Sequence, residues 1–262
     1  MTWAGEVLGT AGAGLVDAGW AANEAVARIG RAGELRTAEV LDPLACSDGV
    51  TVLHDLRIPI PKFTANIDHA VVAGSAVLLI DSKAWKPGRY WSLAGSARRG
   101  LRRFPHAATK TPGLAFDSIG RFLANRGVDA EMLEPLVAVW PSSRTGRVSV
   151  SWLKMDRCRA VDAAALPRLV RRALPRRPAD PALVAALVDL LTADRPAGPA
   201  RGSVPASRSR GDALDFEGTT PHSPQPTGGL PAGVRFVADG DFGPAAPVLD
   251  SHPMGMFDGG DR

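Results

Sequence analysis

Two short apolar runs, Val71-Val72-Ala73-Gly74 and Ala76-Val77-Leu78-Leu79-Ile80, are rich in β-branched residues and meet at a Gly74-Ser75 turn signal. They read as the strands of a hairpin. Upstream, Ala38 and Leu41 fall on one helical face with Glu34, which predicts a helix over 33–44. A strand follows over 50–58, ended by Pro59 and Pro61. Downstream, Ala115, Ile119, Phe122 and Leu123 have helical spacing, with Gly127 placed to stop that helix. The runs 136–140 and 148–153 read as two more strands completing a mixed sheet, the second with clear period-two alternation. Two helical segments occupy 161–193, the second over 181–193 with Leu183, Leu187, Leu190 and Leu191 at core spacing. The pattern predicts an α/β fold, a mixed central sheet flanked by helices.

The ends read differently. Residues 1–30 form an Ala- and Gly-rich helical lead-in, with Trp3 and Trp20 expected to pack on a domain over 31–160. Residues 161–194 supply helices packed on that domain. Residues 195–262 are dense in proline and glycine and poor in large apolar side chains. Such a stretch cannot bury enough surface to offset its chain entropy, so a disordered tail is expected. Phe236, Phe242, Val248 and Leu249 could serve there as a docking segment for a protein partner, although the neighbouring Asp239-Gly240-Asp241 is ordinary turn chemistry.

Composition narrows the classes. With 262 residues and 45% hydrophobic content, the chain can build one substantial core. Cys46 and Cys158 match no zinc or redox spacing and are too few for a disulfide framework, so a reducing, cytoplasmic setting is expected. No apolar run reaches the roughly 20 residues of a membrane span, and no basic-then-apolar leader opens the chain. Neither membrane association nor secretion is expected. The absence of G-x-x-x-x-G-K-[ST] and G-x-S-x-G patterns removes support for nucleotide and serine hydrolysis.

The candidate chemistry lies around the hairpin, in Asn66-Ile67-Asp68-His69 and Ile80-Asp81-Ser82-Lys83-Ala84-Trp85. Residues two apart on a strand share a face, so Asp81 and Lys83 should project together, roughly 7 Å apart at Cα. Ser82 should point away and leave its carbonyl as a possible ligand. Mg²⁺ takes hard oxygens, often one or two carboxylates with water and phosphate completing the shell. Asp68 and Asp81 suit that need, and Lys83 could orient water or offset charge on phosphate oxygens. Glu34 is either an exposed first-turn acid favoured by the helix dipole or a buried one aimed at the site. His54 and His69 lack metal-ligand spacing and read as hydrogen-bonding core residues. Net charge is +4, and residues 86–110 hold Lys86, Arg89, Arg98, Arg99, Arg102, Arg103 and Lys110 with no acid. Interleaved with Trp85, Tyr90, Trp91 and Phe104, this basic loop suits phosphate contact. A solvated arginine-rich loop is the plainer alternative.

Taken together, Gly33-Glu34, Val52-Leu53-His54-Asp55-Leu56, Asn66-Ile67-Asp68-His69 and Ile80-Asp81-Ser82-Lys83-Ala84-Trp85 resemble the nuclease-related domain over about residues 31 to 140. That family is similar to the restriction-endonuclease-like PD-(D/E)xK enzymes. The resemblance implies Mg²⁺ or Mn²⁺ at Asp68 and Asp81, a catalytic Lys83, a supporting Glu34, and phosphodiester hydrolysis in nucleic acid, DNA foremost. Two positions depart from the pattern. Asp81 stands where the wider superfamily commonly has glutamate, and Lys110 where members often carry glutamine. A domain that binds nucleic acid without cutting it, and an adaptor acting through its tail, are the alternative functions.

Overall fold

The computed structural model describes residues 5–13, 24–192 and 234–237. Val7–Leu8 (β1) pairs parallel with Thr51–Arg57 (β2), and Glu24–Asp48 (α1) lies between them in the chain. The lead-in is therefore not helical throughout, whereas Trp3 and Trp20 lie outside the described residues. Asn66–Ala73 (β3) and Ala76–Trp85 (β4) form the expected antiparallel hairpin, turning at Gly74 with φ +54. A left-handed φ costs glycine little because it has no Cβ to clash.

The basic stretch read as a loop is instead ordered as strands. Gly88–Leu93 (β5), Ser96–Arg99 (β6) and Arg102–Arg103 (β7) form an antiparallel series. Thr111–Asn125 (α2) follows, and the chain turns at Gly127 with φ +67. Ala130–Pro141 (β8) then runs parallel to β4. Val148–Trp152 (β9) pairs with β5, so the alternating strand completes this second sheet rather than the central one. Arg159–Asp162 (β10) returns to pair parallel with β8, followed by Leu166–Ala173 (α3) and Pro181–Val188 (α4). Of the expected tail, only Val234–Val237 (β11) is described, and it pairs parallel with Ala130–Leu133 of β8. The rest lies outside the described residues.

The central sheet has the order β1-β2-β3-β4-β8-β10, and the second sheet β7-β6-β5-β9. Helices cover both faces of the central sheet. Leu41 and Leu44 of α1 and Leu166 and Val170 of α3 join Val71, Leu78, Ile80 and Leu136. On the opposite face, Ile119 and Leu123 of α2 and Leu183 and Leu187 of α4 join Leu53, Val72, Val77 and Leu79. Such double cover explains why β4 is almost uniformly apolar up to Asp81. A third cluster of Trp85, Tyr90, Phe104, Val137, Val139, Val148 and Val150 seats the second sheet beside β4 and β8. Among the described residues no helix is long and apolar enough to cross a membrane.

Candidate active site

Strand register brings the acids together. Antiparallel pairing of β3 with β4 runs from Ala73↔Ala76 to His69↔Ile80. One residue further, Asp68 and Asp81 fall opposite each other, and there the backbone ladder gives way. The Ser82 N–H, a ladder donor in a regular strand, donates instead to Asp68 Oδ2 at 2.6 Å. The carboxylate thus replaces a backbone carbonyl and takes up the buried donor. On the next strand position along that face, Lys83 Nζ lies 2.5 Å from Asp81 Oδ2, with Asp81 only 2% exposed. The two form a close, largely buried ion pair. Lys83 Nζ also reaches the Ser82 carbonyl at 3.4 Å.

Glu34 arrives from α1. A Cβ built on Gly33 would sit 3.5 Å from Ala84 Cβ, so the bare glycine marks where the helix backbone presses on β4 beside Lys83. Glu34 is half-buried, and burial, followed by the charge of Asp55, pushes its carboxyl up to about 7. Lys83 pulls the other way and Asp81 adds to the rise. Asp68 is held well above the usual carboxylate range by burial and by Asp81 and Glu34, against Lys83 and the Ser82 N–H. Burial works against the Lys83 charge, but Asp81 and Asp68 outweigh it and raise the ammonium above its ordinary value. Glu34, Asp68 and Lys83 each feel the charge of Asp81, and the Asp68–Ser82 and Lys83–Asp81 contacts place the last three side by side. The alternative of a free, exposed first-turn acid does not describe Glu34.

The opposite face of the same strand carries a polar network that the sequence reading did not assemble. Ser82 Oγ lies 3.1 Å from His69 Nε2 and 2.8 Å from Thr37 Oγ1. Thr37 Oγ1 also accepts from Trp140 Nε1 at 2.8 Å and donates to the Gly33 carbonyl at 3.0 Å. His69 Nδ1 meets His54 Nδ1 at 2.7 Å, and His54 Nε2 reaches Asp42 Oδ1 at 2.9 Å. These histidines are hydrogen-bonding core residues, as expected.

Asp55 was also missed as a site residue. It is buried in β2 with φ +60, at the gap in pairing between His54↔His69 and Leu56↔Ile67, where it falls opposite Asp68. Asn66 Nδ2 donates to its Oδ1 at 2.8 Å, and Thr192 Oγ1 to its Oδ2 at 2.5 Å. A left-handed aspartate in a strand is a strained arrangement of the kind found at functional sites. The only sequence signal was its place in Val52-Leu53-His54-Asp55-Leu56.

The predicted basic contacts spread over the second sheet and its borders. Lys86 and Arg89 are exposed, Arg98 and Arg99 half-buried on β6, Arg102 and Arg103 exposed on β7, and Lys110 exposed just before α2.

The family model of the nuclease-related domain matches residues 29–107. That segment is similar to the nuclease-related domain. The match spans Glu34, Asp55, Asp68, Asp81, Lys83 and every predicted basic contact except Lys110. A restriction-endonuclease-like placement of the domain is consistent with this family and with the mixed sheet. No curated protein and no solved structure matches the chain.

The acids of this segment are the oxygens it could offer a cation. Glu34, Asp68 and Asp81 offer oxygens where a single ammonium faces three acids, and two of those acids have carboxyls raised by crowding and burial. No group of three or more His, Cys, Asp and Glu among the described residues is disposed to hold a metal unaided. Mg²⁺ needs no more than one or two carboxylates when water and phosphate complete its shell.

Proposed function

We propose that the domain hydrolyses phosphodiester bonds in nucleic acid, DNA foremost, with Mg²⁺ or Mn²⁺ held by Asp68 and Asp81. The observation that supports this most is the meeting of Glu34, Asp68, Asp81 and Lys83 where β3 and β4 part. A bound divalent ion would offset the surplus negative charge and polarise phosphate oxygen or water. Lys83, kept protonated by its acidic neighbours, orients water or neutralises charge growing on the phosphate oxygens. Glu34, with a carboxyl near 7, is suited to accept a proton from that water.

Nicking of supercoiled plasmid tests the reading. The wild-type chain is expected to nick with Mg²⁺ and not with EDTA. Asp81→Asn and Lys83→Ala should each lower the rate on the order of a hundredfold. Equal residual activity in all three chains would assign the nicking to a contaminant.

A second reading, binding without cleavage, is favoured by the close Lys83–Asp81 pair, which occupies a carboxylate oxygen that a cation would need. Strand binding that persists in EDTA, with no cleavage in any metal, would select it.

A further inference from the structure

The second sheet lines up two indoles and two guanidiniums across its strands. Trp152 of β9 is registered beside Trp91 of β5, Trp91 beside Arg98 of β6, and Arg98 beside Arg103 of β7. The register of β9 shifts by one residue between Ser149 and Trp152, which brings the exposed Trp152 beside Trp91; with neighbouring strands about 4.8 Å apart, the row spans roughly 15 Å. This face looks outward. Tyr90, the next residue on β5, is fully buried against Trp85 and Phe104. Arg89, two residues before Trp91, is exposed on the same side.

The row is built rather than incidental. Trp91 Nε1 donates to the Gly100 carbonyl at 2.8 Å, and Arg98 Nη1 to the Leu101 carbonyl at 3.0 Å. Those bonds hold the Arg98 guanidinium 6.0 Å from the Trp91 ring centre. Trp152 is 69% exposed, an unusual state for so large an apolar side chain. No residue of the four strands is acidic, and every charged residue in them is arginine.

From this juxtaposition we infer that the outer face of the second sheet binds single-stranded nucleic acid, bases stacking on Trp152 and Trp91 while phosphates lie on Arg98, Arg103 and Arg89. The inference rests on the reading that the domain acts on nucleic acid, and it narrows the substrate to unpaired strands. Duplex bases already stack on one another and offer flat rings no open face. Unpaired bases do, and every base has a ring face to offer.

The test uses the full chain carrying Asp81→Asn, in EDTA, so that the probe stays intact. Fluorescence anisotropy compares labelled oligo-dT, oligo-U and a mixed-sequence duplex, each about twenty nucleotides per strand. Tighter binding of the unpaired probes than of the duplex supports the inference, and the relative affinities of oligo-dT and oligo-U separate DNA from RNA as the source. Adding Trp152→Ala should weaken unpaired-strand binding by roughly tenfold, Trp152→Phe should restore most of it, and duplex binding should barely change. Arg103→Ala should instead reduce the slope of log affinity against log salt by about 0.7. Unchanged oligonucleotide binding in Trp152→Ala, a preference for duplex, or equally strong binding to phosphatidylglycerol vesicles would overturn it. Cleavage of plasmid and of the labelled oligo-dT is scored separately in chains with native Asp81. Mg²⁺-dependent cleavage of either alongside Trp152-independent binding ends the platform and leaves the acid-site reading. Trp152-dependent binding with cleavage of neither does the reverse.

Discussion

At the scale of single residues, the site holds charge that the fold alone would not favour. Asp68 faces Asp81 and Glu34 in a place where burial already disfavours its ionised form. Removing that charge should stabilise the metal-free protein while harming function, the usual trade at a site arranged for chemistry. Asp68→Asn keeps an oxygen for the Ser82 N–H, so it isolates the charge. It is expected to raise the metal-free melting temperature by about 2–4 °C, equivalent to about 1 kcal/mol in a domain of this size. Calorimetry in EDTA checks this, and a fall in melting temperature would contradict it. The histidine pair gives a pH signature of opposite sense. Burial pushes His54 down despite Asp42, and burial together with His54 pushes His69 well down. A folded-state pKa below the unfolded value of about 6.5 means that the unfolded chain binds more protons as pH falls. The contribution is therefore complete above about 6.5 and is lost progressively below it. Glu34, raised to about 7, gains stability over the same fall, so the comparison must be made between variants. His54→Gln should lose less stability than wild type between about pH 7 and about pH 5, measured as urea midpoints. Parallel pH profiles would contradict the assignment.

At the scale of elements, the meeting of α1 with β4 sets where Glu34 stands. The contact at Gly33 leaves room for one methyl, since a Cβ there would make ordinary 3.5 Å contact with Ala84. Gly33→Ala should therefore stabilise α1 by about 0.5–1 kcal/mol and leave nicking intact. Gly33→Val overfills the space at a cost of about 1–3 kcal/mol and should depress nicking by moving Glu34 away from Lys83. Thermal melts and plasmid nicking read both effects. Much of this architecture was legible in the chain. The hairpin, α2 and its Gly127 stop, and the core leucines of α4 follow from periodicity and turn chemistry, because each buries one face in the ordinary way. The strand at Val148–Trp152 was legible as a strand but not as a member of the second sheet, since alternation reports a face and not a partner. β5–β7 escaped because their outer face carries arginine and tryptophan while only Tyr90 is deeply buried. Asp55 and the Thr37–Ser82–His69 network escaped for a related reason. A left-handed aspartate and a chain of hydroxyls and imidazoles depend on contacts between distant strands, which no local pattern encodes.

At the scale of the whole molecule, one stretch of chain joins the acid cluster to the proposed binding face. β4 carries Asp81 and Lys83 and continues within three residues into β5, which carries Arg89 and Trp91. Trp85, Tyr90 and Phe104 pack ring against ring where β4 passes into β5, tilted or edge to face. The account depends above all on the acids serving a cation. Anomalous diffraction from crystals soaked in Mn²⁺ tests this most directly. A strong peak within about 2.5 Å of carboxylate oxygens of both Asp68 and Asp81 is expected, with Lys83 drawn off Asp81 Oδ2. No peak between those carboxylates at saturating Mn²⁺, with the Lys83–Asp81 pair still closed, would contradict the account.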